Sequence, residues 1–252
     1  MFESLFLTSI IFCLTLFQSV IGIGVLVLGT PLLLILDFEL TKAMFYLLPI
    51  SFLTSLFNFI IHSLKHPTKN YLNEKAAIKL YVLVCLPFVF VGLFFLKMSS
   101  RYINFDFLVS LVILISVFLK NKEITLWNSK WINKYAAALI GFVHGLTNSG
   151  GTLMTLFVLR KNNNNKKLSI KKIHFFYMLL AGTQYLVLMY LFDNPTNFIE
   201  KEIFYLLIII LVSSLIGFKL NEIMKNNYYS MIIDIMAILA SLTLILKIFF
   251  SA

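Results

Sequence analysis

A run of polar and small residues, GFVHGLTNSGGT from Gly141 to Thr152, interrupts an otherwise apolar stretch. It gathers His144, Thr147, Asn148, Ser149 and Thr152 with Gly145, Gly150 and Gly151. Hydroxyl, amide and imidazole groups at one depth are donors suited to a small oxyanion, and glycines leave backbone N–H groups open to close approach. A helix restarting near Gly150 would add its unpaired N–H groups and its aligned peptide dipoles. The set holds neither Lys nor Arg, which suits an anion that must be released as well as bound. His144 can also handle a proton, because unperturbed imidazole titrates at about pH 6.5. Packing is the competing reading: small residues also let a neighbouring helix approach closely.

The same chemistry recurs upstream. A shift of 126 positions lays Gln18 on His144, Gly22 on Asn148, Gly24 on Gly150 and Asn58 on Gln184. A shift of 125 lays Gly92 on Gly217. The expected site is therefore built from both copies: Gln18, Gly22, Gly24 and Asn58 from the first, with His144, Thr147, Asn148, Ser149, Gly150, Gly151 and Gln184 from the second. Duplicated apolar units interrupted at corresponding places point to a transporter's substrate site. Proton coupling has two candidates, His144 and Asp234, the latter being the only acid well within an apolar run.

The elements that must position these residues are apolar helices. The chain has 252 residues, 60% of them hydrophobic, including 26 Phe. That composition excludes an ordinary soluble globule and predicts one polytopic membrane domain over 1–252. Apolar runs lie near 5–36, 43–61, 80–96, 103–119, 135–159, 173–192, 203–218 and 228–250, mostly near the length a helix needs to cross hydrocarbon. The first run is too long for a secretory signal and carries only Glu3 as an early charge. As one helix it would measure about 48 Å against roughly 30 Å of hydrocarbon, so it is expected to bend at Gly22, Gly24, Gly29 and Pro31.

Charge placement sets the topology. Net charge is +10, but Lys and Arg in short links between apolar runs are topology signals before they are nucleic-acid signals. If the first and fifth runs enter and leave on one side, the loops near 62–79, 120–134, 160–172 and 219–227 share a face with 16 of the 21 basic residues. Eight plain spans would leave no such bias. Each copy then has three spanning helices, an odd number, and the second copy is inverted relative to the first. The fold class expected is an all-α membrane protein of two inverted four-segment repeats, 1–122 and 133–252. Each has a re-entrant or broken first segment and three spanning helices. Trp127 and Trp131 are placed as interface anchors, and Arg160 to Lys167 reads as a solvated connector.

The turns GIGVLVLGTP, Gly22 to Pro31, and GLTNSGGTL, Gly145 to Leu153, resemble the paired motifs of the TauE/SafE sulfite-exporter family of bacterial membrane permeases. Chain size and the duplicated plan agree with it across nearly the whole sequence. Val25 and Asn148 stand where that family commonly has Gly, and Phe157 stands opposite Pro31. The resemblance implies ion-gradient-coupled transport of sulfur-containing or organic anions, such as sulfite, thiosulfate or sulfonates, in a bacterial inner membrane with the basic loops cytoplasmic. The partners implied are a small anion and the lipid bilayer, not nucleic acid. Phosphate-loop, zinc and Ser-His-Asp patterns are absent, so no enzyme, metal or cofactor is expected. The alternatives are an anion channel and an intramembrane thiol–disulfide electron carrier. The latter would need activated cysteines, whereas Cys13 and Cys85 lie among apolar neighbours.

Overall fold

A computed structural model describes residues 2–65, 75–99, 104–120, 130–161, 166–192, 199–224 and 226–250. Trp127 and residues 162–165 of the polar connector lie outside the described residues. Every apolar run forms helix. The first run is split into α1 (Phe2–Ile21) and α2 (Val25–Ile35). Then come α3 (Leu40–Lys65), α4 (Lys75–Leu80) with one π-helical turn (Tyr81–Cys85) leading into α5 (Leu86–Ser99), and α6 (Phe105–Lys120). The second half repeats the order, with a split pair α7 (Lys130–Thr147) and α8 (Gly151–Lys161), then α9 (Lys166–Leu191), α10 (Ile199–Ile223) and α11 (Asn226–Phe250). The π turn has a local cause: Pro87 has no N–H to give to the carbonyl of Leu83, and a widened turn absorbs the missing bond.

Among the described residues four helical stretches are long and apolar enough to cross a membrane: Leu40–Lys65, Ile78–Ser99, Ser169–Leu191 and Phe204–Ile223. Shorter apolar helices cover Thr8–Ile21, Val25–Ile35 and Phe105–Ile115. The outer surface of α5 and α10 is apolar, with Phe88, Val91, Phe95, Phe204, Ile208 and Leu215 exposed. Polar side chains are inside instead, an arrangement suited to a hydrocarbon surround.

The packing exchanges partners between the halves. α1 lies on α10 as α7 lies on α5, α3 on α10 as α9 on α5, and α2 on α11 as α8 on α6. α3 meets α9 at the centre, and α6 meets α11. Along the central seam Phe45 faces Tyr185 and Phe59 faces Phe175, so α3 and α9 run antiparallel. The expected bend in the first segment is a reversal. Positions 24 and 29 of α2 both lie against Leu14 of α1, so α2 folds back along the helix before it.

Small residues make the α5–α7 and α1–α10 seams. A Cβ at Gly141 or Gly145 would come within 2.1 Å of Cys85 O or 2.2 Å of Val89 O, and one at Gly92 within 2.3 Å of Phe142 O. Gly217 meets Ser19 in the corresponding seam. Two glycines of the polar motif, Gly141 and Gly145, thus do serve close helix packing.

Candidate functional site

The two helix breaks have one backbone design. α1 ends with Gly22 in the left-handed region at φ 87°, and α7 ends with Asn148 there at φ 61°. Gly22 N–H donates to Gln18 O at 2.7 Å, and Asn148 N–H to His144 O at 2.9 Å. Each second helix then restarts alike, with Leu28 N–H donating to Gly24 O at 2.9 Å and Met154 N–H to Gly150 O at 3.0 Å. Asparagine is among the few residues that enter the left-handed region readily, so Asn148 preserves the geometry that Gly22 supplies.

Gly24 and Gly150 have a more local reason to be glycine than access for a ligand. A Cβ at Gly24 would lie 2.5 Å from Gln18 N, and one at Gly150 would lie 2.6 Å from His144 Cβ. Each break folds tightly onto the last turn of its own first helix, and a side chain would force it open. Gly151 differs: a Cβ there would run into the Tyr177 hydroxyl of α9.

The side chains, unlike the backbones, diverge. In the first break Gln18, fully buried, accepts from Val25 N–H through Oε1 at 3.1 Å and from Ser51 Oγ at 3.2 Å. Its Nε2 donates to Ser51 O at 3.0 Å and Ser55 Oγ at 2.8 Å. A neutral amide thus occupies the N-terminus of α2 and staples it to α1 and α3. In the second break His144 takes the place of Gln18, Tyr177 that of Ser51 and Ala181 that of Ser55. His144 is fully buried, and neither ring nitrogen has a hydrogen-bond partner among the described residues. The N-terminus of α8 thus lies beside an imidazole and close to a phenol, with Thr152 N–H donating to Ser149 O at 3.3 Å.

The remaining predicted residues are brought to these breaks or hold them in shape. Gln184 Nε2 donates to His144 O at 3.1 Å, while its Oε1 has no hydrogen-bond partner among the described residues. Asn148 Nδ2 donates to Thr30 Oγ1 at 2.9 Å, joining the second break to α2. Asn58 Nδ2 lies 2.8 Å from Ser19 Oγ and 3.2 Å from Ser214 Oγ, one turn away from the first break. Thr147, Ser149 and Thr152 turn their hydroxyls onto nearby backbone carbonyls, Val143 O, Thr147 O and Ser149 O, and so stabilise the turn itself. Asp234 is half-buried on α11.

A protein-family model described as sulfite exporter TauE/SafE matches residues 7–244, which take in both breaks. The chain belongs to the TauE/SafE sulfite exporter family. No curated protein and no solved structure matches it. TauE/SafE membership implies a membrane transporter, in keeping with its apolar helices. Its cysteines are free: Cys13 is exposed on α1, and Cys85 is buried at the end of the π turn. In this TauE/SafE chain the sequence reading passed over Tyr177, Thr30, Ser51 and Ser55. Ser51 and Tyr177 are related by the same shift of 126 that found the breaks, and Ser51, Ser55 and Asn58 share one helical face.

Proposed function

We propose that this protein is an ion-gradient-coupled carrier of small anions, sulfur oxyanions or organosulfonates such as sulfite, in a bacterial inner membrane with its basic loops cytoplasmic. The observation that carries the reading is the fully buried ring of His144, neither nitrogen of which has a hydrogen-bond partner among the described residues, beside the N-terminus of α8. Oriented N–H groups attract an oxyanion, and a low-dielectric surround strengthens the attraction. His144, Tyr177, Asn148 and Gln184 are the side chains within reach of that end. Gln18, Gly22, Gly24 and Asn58 form the counterpart, in which the amide of Gln18 takes the place of a ligand.

In this reading the halves are inverted repeats. Support comes from α3 and α9, which are equivalent by sequence shift and antiparallel where they touch. Rocking of the halves about that seam would expose the breaks to each side in turn. Asn148 to Thr30, a bond between the two broken segments, would have to survive or exchange in that motion. His144 is the proton-coupling group of choice, with Asp234 the second candidate.

The test is uptake of radiolabelled sulfite, sulfate, thiosulfate and small sulfonates into proteoliposomes under imposed pH gradients. Saturable flux of at least one of them, reduced when the gradient is collapsed, is expected. Flux no greater than that of empty vesicles for the whole panel would overturn the reading, and flux that ignores the gradient would turn the carrier into an anion channel.

A further inference from the structure

The two amides at the second break leave the same end unpaired. Gln184 Nε2 donates to His144 O at 3.1 Å and lies 3.8 Å from Met44 Sδ, so both of its hydrogens have acceptors. Its Oε1 has no hydrogen-bond partner among the described residues. Asn148 Nδ2 donates to Thr30 Oγ1 at 2.9 Å, and Asn148 Oδ1 is likewise without a partner among the described residues. Both residues are fully buried. The orientation of Gln184 is fixed by its partner: a carbonyl only accepts, and turning the amide over would set Oε1 against His144 O. What these two side chains still offer is oxygen, which repels an anion and suits a cation.

They are held on one carbonyl. Asn148 N–H also donates to His144 O, at 2.9 Å. That carbonyl belongs to the last turn of α7, whose closing carbonyls, Gly145 O and Leu146 O among them, find no N–H within the helix and carry the negative end of its dipole. In the first break the equivalent helix end is closed. Val20 O, which corresponds to Leu146 O by the shift of 126, accepts from Asn221 Nδ2 of α10 at 2.5 Å. The residue of α5 that corresponds to Asn221 by the shift of 125 is Leu96, which has no donor to give. Asn58, the counterpart of Gln184, also leaves Oδ1 unpaired among the described residues, but beside that closed end. Unpaired amide oxygens and an open helix C-terminus therefore coincide in the second break.

Buried neutral oxygens are the ligands of a hard cation, and divalent hard cations draw carboxylates as well. Residues 141–152 contain no Asp or Glu, and the residue added by α9 is an amide. A single charge fits that set.

We propose that Gln184 Oε1, Asn148 Oδ1 and the closing carbonyls of α7 form a binding site for a small monovalent cation of the Na+ class. The inference rests on the carrier reading above and deepens it, by adding a metal cation to the proton as a coupling ion. The C-terminus of α7 holds the cation and the N-terminus of α8, three residues further along, holds the anion. Broken helices divide the two charges between their ends in this way. Each ion then strengthens binding of the other by the same factor.

The experiment measures binding of radiolabelled Na+ to the full chain in lipid nanodiscs, at one fixed pH and with choline holding the ionic strength constant. Saturable binding is expected, displaced by unlabelled Na+ and not by choline. Gln184→Met removes one oxygen, and Asn148→Gly removes the other while keeping the left-handed turn. Each should weaken Na+ affinity at least roughly tenfold, the scale of a lost contact to a charged group. No saturable binding to the unaltered protein, or unchanged affinity in either variant, overturns the proposal. Should a variant fail to fold, amide exchange of the unaltered protein in Na+ against choline decides. Exchange slowed by Na+ over residues 141–152 supports the site, and exchange there that ignores Na+ rejects it. Na+ binding without flux of any anion in proteoliposomes would refute the carrier and keep the site. Anion flux without Na+ binding would keep the carrier and remove the site.

Discussion

Gly22 and Asn148, 126 residues apart, hold the same left-handed backbone conformation and donate the same i→i−4 hydrogen bond, to Gln18 O and His144 O. One break is built from the residue that enters this region freely, the other from one of the few that tolerate it. Asn148→Gly should therefore retain the fold and lose only the bond to Thr30. Asn148→Val should cost about 1–2 kcal/mol from the backbone alone. Thermal unfolding of the two variants in detergent checks the order, and equal melting temperatures would show that the left-handed turn is not under selection by strain.

Gln18 and His144 occupy equivalent places but should respond oppositely. Gln18→Leu strands the Val25 N–H and the Ser51 and Ser55 groups, at about 1–3 kcal/mol for a buried polar group left unsatisfied. His144→Leu removes a ring whose nitrogens have no hydrogen-bond partner among the described residues, so stability should hold or rise while anion binding is lost. Melting temperature and sulfite flux measured side by side would separate staple from site. Loss of stability in both variants would contradict the assignment.

The seam between α5 and α7 should tolerate no added bulk. Gly145→Ala places a Cβ 2.2 Å from Val89 O, and neither backbone can yield locally. Overpacking of this kind typically costs about 1–3 kcal/mol. Gly182→Ala is the control, since its Cβ would meet only the Phe52 ring at 3.1 Å. Folded yield and melting temperature should fall for Gly145→Ala much more than for Gly182→Ala.

Lys247 at the end of α11 donates to Leu34 O at the end of α2 and pairs with Asp37 at 2.8 Å and Asp106 at 3.6 Å. Lys247→Met should loosen the α2 C-terminus and speed amide exchange there, while Asp37→Asn, at an exposed carboxylate, should change little. Exchange measured by mass spectrometry distinguishes them. Unchanged protection of α2 in Lys247→Met would mean that packing alone holds this end.

Topology can be read with thiols. In a Cys13→Ser/Cys85→Ala background, which should still transport because both thiols lie among apolar neighbours, cysteines replacing Asn133 and Asn163, on either side of the fifth apolar run, should react with an impermeant reagent from the same face. Cysteines replacing Lys42 and Lys97 should react from the other. Asn133 and Asn163 labelled from opposite faces would restore plain spans and remove the inverted arrangement. Loss of flux in the cysteine-free background would revive the electron carrier.

Local information was enough to place the breaks. Gly22, Gly24, Asn148 and Gly150 were legible because an apolar helix cannot absorb such a cluster without unwinding, and because a repeated mistake at one spacing is a pattern. The apolar runs became helices for the same reason: in hydrocarbon, backbone groups must pair within the segment. The sequence determined these features because they depend on neighbours a turn or two away. Tertiary structure alone decided how the first break is stapled, since Gln18 owes its partners to Ser51 and Ser55 on another helix, while Tyr177 and Ala181 stand where the corresponding partners of His144 would be. It also decided that His62 meets His174 across 112 residues and that Lys247 reaches Leu34 across 213. Those pairings follow from how antiparallel helices slide into register when their small and large side chains interlock, and no spacing within one helix carries that information.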